Sequence, residues 1–308
     1  MKDQQHFLKT VRHYFKEEGE KWLQQLPELI RYCETKWSLK MHAPYKLSTN
    51  YVAPATMSSG DEIVVKLCIP SDGVRDEILA LQTFDGKGIV RLLDCDIQKG
   101  IILLEKVTPG RMLAHITDAD EACRIGADVV RELTRPAPKR FQIASTIGRE
   151  EKLRVIVNEN PHGLGPIKAK ILQKALHMFT YLNETIDKWF LLHGDFHPYN
   201  ILLDENGQWK AIDPKGLMGE LEYDLIQFIL NILPDEGVEK VIQQRIDIFT
   251  TELNINKQRL LLWGYCHTVL ATAWTVNEDG TFDEKFFQCI AIFEKLCSKY
   301  LEELEEIR

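Results

Sequence analysis

The stretch from Leu191 to Leu203 reads LLHGDFHPYNILL, and the segment AIDPKG follows it at Ala211 to Gly216. Glycine and proline interrupt the first apolar run at Gly194 and Pro198, which predicts a loop that one strand enters and another leaves. This loop displays a carboxylate and, five residues later, an amide. The second segment places another carboxylate at a strand end. Functional side chains concentrate on loops held by rigid strands, so both segments are candidate site loops.

The side chains displayed on these loops are Asp195, Asn200 and Asp213. Phosphoryl transfer needs an acceptor for the proton of the attacking hydroxyl, oxygen ligands for Mg²⁺ and a cation on the nucleotide phosphates. Carboxylate and amide oxygens are ligands that Mg²⁺ takes. Together with a lysine upstream, the three side chains supply all of these parts. The pattern therefore favours a phosphotransferase.

The pattern H-G-D-x-x-x-x-N followed by I-D-P resembles the catalytic and metal-binding loops of the aminoglycoside phosphotransferase branch of the protein-kinase-like fold. The string from Ile212 to Gly216, followed by Gly219–Glu220 and Tyr223–Asp224, looks most like the aminoglycoside/hydroxyurea antibiotic resistance kinases, which include streptomycin 6-phosphotransferases. The Lys36–Leu39 segment is similar to that branch as well. The resemblance implies an α+β, bilobal kinase-like fold. It also implies ATP and Mg²⁺ as cofactors, and the hydroxyl group of a small molecule, plausibly an aminoglycoside, as acceptor.

The resemblance assigns roles to individual residues of the two loops. Asp195 matches the catalytic base, and His193 matches the residue that supports the catalytic loop. Asp224 matches a carboxylate that fixes this loop from the following helix. Asn200 and Asp213 match the Mg²⁺ ligands.

The resemblance also places nucleotide-binding residues upstream. Lys66 matches the strand lysine that contacts the nucleotide phosphates, and Glu77 matches its ion-pair partner on the next helix. Glu105 and Val107 fall in the hinge, whose backbone groups would hold adenine. The first hairpin lacks the pattern G-x-G-x-x-G, and Ser48–Asn50 is the candidate turn over the phosphates.

The order of predicted elements is a helical region, a small, mostly β lobe and a large, mostly α lobe. Residues 3–37 predict a helix that Pro27 divides in two, since proline is tolerated only near a first turn. Strand-like runs follow, and helical periodicity dominates beyond the turn signal at Thr108–Gly110. We expect one domain at 1–107, with the N-terminal helices and the nucleotide-binding β lobe. A second at 108–308 would carry the catalytic loop, the metal-binding loop and the acceptor site.

Composition limits the classes of protein that remain. A chain of 308 residues exceeds the size at which a single core stops growing, about 250–300 residues, which favours two lobes. Its 46 acidic against 38 basic residues, a net charge of −8, oppose nucleic-acid binding. Seven scattered cysteines without a C-x-x-C pair indicate reduced thiols. The N-terminus has no apolar signal core, and the stretch Leu260–Trp274 is too short for a membrane span. We therefore expect a cytoplasmic protein that binds no membrane.

The acceptor site is the part that the sequence describes least. Trp274 with the acids Glu278 and Asp279 is a candidate lining for a cationic polyol, because an acidic cleft concentrates cations. Alternatively, the tryptophan belongs to a helix core and the acids are solvated residues at a helix start.

Two alternatives to an antibiotic kinase remain open. One is a kinase of an amino sugar or another metabolite without a resistance role, because the fold and the phosphate chemistry are shared while acceptors differ. The other is a nucleotide-binding pseudokinase module. Such a module would lack the base or a metal ligand, whereas Asp195, Asn200 and Asp213 are all present.

Overall fold

A computed structural model of the chain describes residues 2–138 and 143–306. The helices, numbered in chain order, are α1 (Lys2–Lys36), α2 (Asp72–Phe84), α3 (Ala119–Leu133), α4 (Thr146–Glu159), α5 (Ala169–Glu184), α6 (Leu221–Asp224), α7 (Ile226–Ile229), α8 (Val238–Leu253), α9 (Lys257–Thr275) and α10 (Glu284–Glu306). The strands are β1 (Leu39–Met41), β2 (Tyr51–Met57), β3 (Glu62–Leu67), β4 (Leu92–Asp96), β5 (Ile101–Glu105), β6 (Pro109–Met112), β7 (Arg135–Pro136), β8 (Gly163–Leu164), β9 (Ile167–Lys168), β10 (Phe190–Leu192), β11 (Ile201–Asp204), β12 (Trp209–Ala211) and β13 (Leu217–Gly219). The predicted α+β class is confirmed.

The chain divides into two compact units. The first comprises Met1–Arg111 and Leu202–Lys215, and the second comprises Met112–Ile201 and Gly216–Arg308. The division therefore falls after Arg111 rather than after residue 107, and the segment that carries Asp213 groups with the first unit instead of the second.

Backbone hydrogen bonds explain why this segment groups with the first unit. The N–H of Val90 donates to the carbonyl of Ala211 at 3.0 Å, and the N–H of Ala211 donates to the carbonyl of Gly88 at 2.8 Å. Strands β11 and β12 also share a three-stranded sheet with β6, in the order β12-β11-β6. Local periodicity carries no signal for pairings between such distant parts of the chain.

An antiparallel sheet with the strand order β1-β2-β3-β5-β4 forms the middle of the first unit. The β-branched run Ile63–Val65 favours a central strand, and β3 takes that place. Register puts Lys66 of β3 opposite Val52 and Ile102. Helix α2 follows, with the hydroxyl of Ser71 as its N-cap. The sheet and α2 thus carry the two residues of the predicted Lys66–Glu77 pair.

The N-terminal helix α1 folds back at Lys16, where φ is 48°, and not at Pro27 as predicted. Pro27 stays within the helix, where it removes one backbone hydrogen bond. The rings of Phe7 and Trp22 lie edge to face with centroids 6.2 Å apart, whereas fifteen residues of straight helix would separate them by about 22 Å. The reversal at Lys16 therefore allows the two halves of α1 to pack on each other.

Both halves of α1 contribute to the core of the first unit. The buried residues of this core are Phe7, Val11, Trp22, Cys33, Leu39, Leu47, Ala55, Ile63, Val65, Leu67, Ile69, Ile101 and Leu103. The N-terminal helices and the sheet thus bury one shared apolar cluster.

The second unit is mainly helical, and α9 lies in its core. The side chains of α9 from Leu260 to Ala273 are all buried, as expected for a helix that is apolar on every side. Strand β10 pairs with β13, with Leu192 opposite Leu217, and leads into the loop that begins at His193.

None of the described helices has the length and apolarity that crossing a membrane requires.

Gly19 lies where the two halves of α1 approach closely. An added Cβ would come within 2.7 Å of the carbonyl oxygen of Val11, which is backbone and cannot yield easily. We expect Gly19→Ala to lower the free energy of unfolding by about 1–3 kcal/mol through overpacking, measured by urea denaturation. Gly148→Ala on α4 is the matched control, because no atom lies within 4 Å of its added Cβ. The control should change stability by at most about 1 kcal/mol, upward. Equal effects of the two variants would contradict the close helix packing.

Candidate active site

A buried ammonium group on β3 is the first part of the candidate site. Lys66 Nζ lies 2.6 and 2.7 Å from the two carboxylate oxygens of Glu77, and it also bonds Asp213. All three residues belong to the first unit. Burial acts to lower the pKa of Lys66, but the two carboxylates outweigh it and hold that pKa above its ordinary value. The structure therefore keeps a positive charge at this point of the sheet.

Asp213 lies between two ammonium groups. Its Oδ1 pairs with Lys66, and its Oδ2 accepts a hydrogen bond of 2.8 Å from Lys215. Burial acts to raise the pKa of Asp213, but the two lysines outweigh it and hold the pKa well below its ordinary range. The carboxylate is therefore ionised, which is the state in which it can ligate Mg²⁺. The sequence pattern did not single out Lys215, although this lysine lies two residues after Asp213 in the segment AIDPKG.

A buried carboxylate holds the loop that follows β10 in the second unit. Asp224 accepts the N–H of His193 on Oδ2 and the N–H of Gly194 on Oδ1, both at 2.7 Å. Gly194 has a φ of 81°, a left-handed conformation that glycine adopts without strain. His193 is fully buried, and its Nδ1 accepts the N–H of Asp195 at 3.3 Å. His193 and Asp224 thus contact the backbone of this loop directly, and the supporting roles that the family resemblance gives them stay predictions.

Asn200 ties the end of this loop to its beginning. Its Nδ2 donates to the carbonyl oxygen of Asp195 at 3.1 Å and lies 3.2 Å from Nε2 of His197. Within residues 2–138 and 143–306, its Oδ1 has no hydrogen-bond partner, so the amide oxygen is available to a metal. The Asp195 carboxylate is 26% exposed and lies 3.7 Å from Nε2 of His197. The loop thus holds a partly exposed carboxylate beside an amide oxygen.

The described residues contain no cluster of three or more His, Cys, Asp or Glu side chains that could hold a metal ion. Mg²⁺ is commonly bound through one or two protein carboxylates, with phosphates and water as the other ligands. The ionised carboxylate of Asp213 and the amide oxygen of Asn200 are hard oxygen donors of this kind. Each unit therefore carries one donor of the kind that Mg²⁺ takes, Asp213 in the first unit and Asn200 in the second.

The remaining nucleotide-binding candidates lie in the first unit. Ser48–Asn50 is part of the loop between β1 and β2, which is the first hairpin of the sheet. Glu105 is engaged within the protein: its carboxylate accepts from Arg91 and Lys210, and its N–H donates to the carbonyl of Arg91. The backbone groups of Val107 take no hydrogen bond from the part of the chain that is described. Binding of adenine by the backbone of Glu105 or Val107 stays a prediction.

The three acceptor candidates lie at the end of α9 and in the turn after it. Trp274 is 44% exposed. The guanidinium carbon of Arg149 lies over its ring, 5.0 Å from the ring centroid. The carboxylate of Asp279 accepts the N–H of Thr281 at 3.0 Å and its hydroxyl at 2.6 Å, while Glu278 is exposed. Two of the three candidates thus already have partners in their own unit. No sequence pattern indicated Arg149, because its contact with Trp274 depends on how α4 packs near the end of α9.

Residues 38–280 match the sequence model of a family described as aminoglycoside/hydroxyurea antibiotic resistance kinase. The chain belongs to this family. Streptomycin 6-kinase of Streptomyces glaucescens is 29% identical over 278 residues, which cover 87% of this chain and 88% of that protein. Hydroxyurea phosphotransferase of Kitasatospora aureofaciens is 29% identical over 271 residues, which cover 85% and 76% of the two chains.

Solved structures support the fold of this kinase. Choline kinase from Streptococcus pneumoniae has a TM-score of 0.63 and 14% sequence identity, covering 90% of this chain and 100% of that chain. An aminoglycoside-3'-phosphotransferase of type VIII has a TM-score of 0.52 and 15% identity, with coverage of 77% and 96%. The predictions of a kinase-like fold and of a small-molecule phosphotransferase are confirmed, and ATP use follows from membership of a kinase family.

Asp224→Asn tests the support of the loop in this kinase. An amide accepts hydrogen bonds only through its oxygen, so the variant leaves one of the two loop N–H groups without its acceptor. We expect kcat to fall by about 10- to 100-fold, because small misplacements of catalytic groups have effects of this size. The KM for ATP should stay close to that of the wild type in steady-state assays.

Stability against pH gives a second readout for Asp224→Asn. Burial raises the pKa of Asp224 to about 7, although the N–H groups of Gly194 and His193 act to lower it. Because an unfolded aspartate titrates near pH 3.9, this carboxyl's contribution to wild-type stability declines as the pH rises from about 4 to 7. The variant should lack the decline in urea unfolding. The N–H of Gln208 lowers the pKa of Asp204, so the contribution of this carboxyl to stability rises with pH. Asp204→Asn should therefore lack a rise in stability, whereas Asp224→Asn lacks a decline. Equal pH profiles for the two variants would contradict the assignment.

Proposed function

We propose that this kinase transfers the γ-phosphoryl group of ATP to a hydroxyl group of a small molecule. The observation that carries the proposal is Lys66, a buried cation fixed between Glu77 and Asp213 on the central strand of the first unit. A buried charge needs such partners, and a lysine on the nucleotide phosphates is one of the few parts that phosphoryl transfer requires.

The residues of the chain act mainly by positioning and by neutralising charge. Asp195 accepts the proton of the acceptor hydroxyl as the phosphoryl group is transferred. Lys66 neutralises charge on the nucleotide phosphates, with Glu77 holding its ammonium group in place. Val107 binds adenine through its backbone, and the Ser48–Asn50 turn covers the phosphates.

Asn200 and Asp213 are the proposed ligands of Mg²⁺. When bound, the ion neutralises charge that develops on the transferring phosphoryl group. Asp213 contributes a carboxylate that two lysines keep ionised, and Asn200 contributes an amide oxygen. Lys215 holds the second oxygen of Asp213 and so restricts the orientation of the carboxylate.

Aminoglycosides are the first class of acceptor to test, because one relative is named for streptomycin. Hydroxyurea is the second, because another relative is named for it. An ATP-consumption screen should cover aminoglycosides, hydroxyurea, amino sugars, choline-like alcohols, and neutral and acidic hydroxyl compounds. We expect at least one hydroxyl compound to stimulate ATP consumption and to gain one phosphoryl group by mass spectrometry. Binding of ATP without consumption across this library would instead favour a pseudokinase. The predicted contact of Glu278, Asp279 and Trp274 with a cationic acceptor stays a prediction that the screen addresses.

Asp195→Asn should abolish turnover, because an amide cannot accept the proton of the hydroxyl. General-base catalysis contributes about 10²- to 10⁴-fold, so kcat should fall by at least about 10²-fold. Binding of ATP, measured by calorimetry, should stay near the wild-type value because the base contacts the acceptor. A variant with more than about a tenth of the wild-type kcat would remove Asp195 from this role.

Asp213→Ala should behave differently, because it removes a ligand of Mg²⁺. Both kcat and the gain in ATP affinity produced by Mg²⁺ should fall, measured by titrating ATP with and without the metal. Asp247→Ala is the control, since Asp247 is an exposed carboxylate of the second unit that pairs with Lys257. If Mg²⁺ dependence is the same in Asp213→Ala as in the control, Asp213 is not a metal ligand.

A further inference from the structure

Two lysines bond the carboxylate of Asp213, and they differ in burial. Lys66 reaches Oδ1 from β3, its side chain is 5% exposed, and Glu77 holds its ammonium group with two further hydrogen bonds. Lys215 reaches Oδ2 at 2.8 Å from the segment after β12, and its side chain is 43% exposed. All four residues belong to the first unit. Lys66 is therefore an anchored cation, whereas Lys215 is a cation that a ligand can reach.

The backbone that presents Asp213 and Lys215 is unusual. Asp213 has a φ of 61°, a left-handed conformation that is uncommon for a residue other than glycine. Pro214 separates it from Lys215 and fixes its own φ through its ring. Backbone conformations such as that of Asp213 persist where surrounding contacts impose them, and they concentrate at catalytic and ligand-binding sites. The turn is therefore a candidate binding segment.

The balance of charge shows what Lys215 contributes. The ammonium group of Lys66 faces two carboxylates, and Lys215 supplies the second positive charge that neutralises them. When Asp213 serves as a ligand of Mg²⁺, the two charges of the ion take over this task. Two cations on one carboxylate also repel each other. Lys215 then carries a charge that a bound anion would satisfy.

The terminal phosphate of the nucleotide is the anion that fits this position. Metal ions of phosphoryl transfer bridge the β- and γ-phosphates, so an aspartate that holds such an ion lies toward the terminal end of the nucleotide. A strand lysine such as Lys66 pairs with the α- and β-phosphates instead. An ammonium group has three donors on a flexible stem, so Lys215 can bond a phosphate oxygen while it stays on Asp213.

We propose that Lys215 binds an oxygen of the γ-phosphate of ATP and neutralises charge on this group during transfer. The inference rests on the proposed kinase function and gives the site a second lysine, with a role different from that of Lys66. As the bond between phosphorus and the β,γ-bridging oxygen breaks, the acceptor oxygen bonds the phosphorus, and its proton passes to Asp195. Lys215 stays protonated throughout and contributes charge alone.

The test compares the binding of ADP with that of the β,γ-imido analogue of ATP, both with Mg²⁺ and without an acceptor, measured by calorimetry. Lys215→Met should weaken binding of the analogue by about 10- to 100-fold, the range for loss of a hydrogen bond between charged groups. Its affinity for ADP should stay close to the wild-type value, because ADP has no γ-phosphate. Lys215→Arg keeps the positive charge and should restore most of the affinity for the analogue.

Lys21→Met is the matched control, because Lys21 is also an ion-paired lysine of the first unit, 2.7 Å from Glu17. It should leave the affinities for both nucleotides unchanged. If Lys215 only orients Asp213, Lys215→Met should weaken the binding of both nucleotides alike, because each brings its Mg²⁺ to this carboxylate. Equal losses for ADP and the analogue would therefore overturn the inference.

The outcomes separate this inference from the proposed function. Wild-type affinity of Lys215→Met for the analogue would overturn the inference as well, and the kinase function would stand. Absence of ATP consumption with every compound of the screen would overturn the proposed function itself. The two failures are distinguishable, because the binding experiment needs no acceptor and the screen needs no variant.

Discussion

The pairing of the buried Lys66 ammonium group with two carboxylates is the interaction on which the first unit of this kinase depends. A charge removed from water must be paired, and loss of one partner of a buried pair typically destabilises a protein by about 3–5 kcal/mol. Lys66 takes its partners from two other parts of the first unit, Glu77 on α2 and Asp213 after β12. The ion pairs of Lys66 therefore connect β3, α2 and the segment after β12, which are far apart in sequence. It also keeps Asp213 ionised before any metal is bound.

A buried carboxyl group, that of Asp224, holds the loop after β10 by a different means. Asp224 has no lysine or arginine partner among the described residues, and it accepts two backbone N–H groups instead. Each bond fixes one peptide unit next to Asp195, and Asn200 closes the loop through the carbonyl of Asp195. Hydrogen bonds of this kind position a backbone more directly than side-chain packing does. Ion pairs thus hold the Asp213 carboxylate in the first unit, and backbone N–H groups hold the Asp224 carboxyl in the second.

Acceptor recognition differs from one kinase to another, whereas the phosphate chemistry is shared among kinases. The identity of about 29% to streptomycin and hydroxyurea kinases extends over most of the chain, yet it does not select an acceptor. Acceptor specificity depends on individual side chains, which differ between kinases that share the fold. The acceptor is therefore assigned by a screen of hydroxyl compounds and not by the fold.

The sequence by itself determined the class of fold, the two site loops and most helices, because motif spacing and hydrophobic periodicity are local properties of the chain. It also led to the Lys66–Glu77 pair through a family resemblance. Only the tertiary structure decided where α1 reverses: the ring contact of Phe7 with Trp22 spans Lys16, and Pro27 lies beyond both rings. The same holds for the β11–β12 hairpin, whose unit depends on backbone pairing with distant residues. The contact of Trp274 with Arg149 joins two helices that are far apart in sequence, so no local pattern encodes it. The pKa values of buried carboxylates depend on burial and on charges that folding brings together.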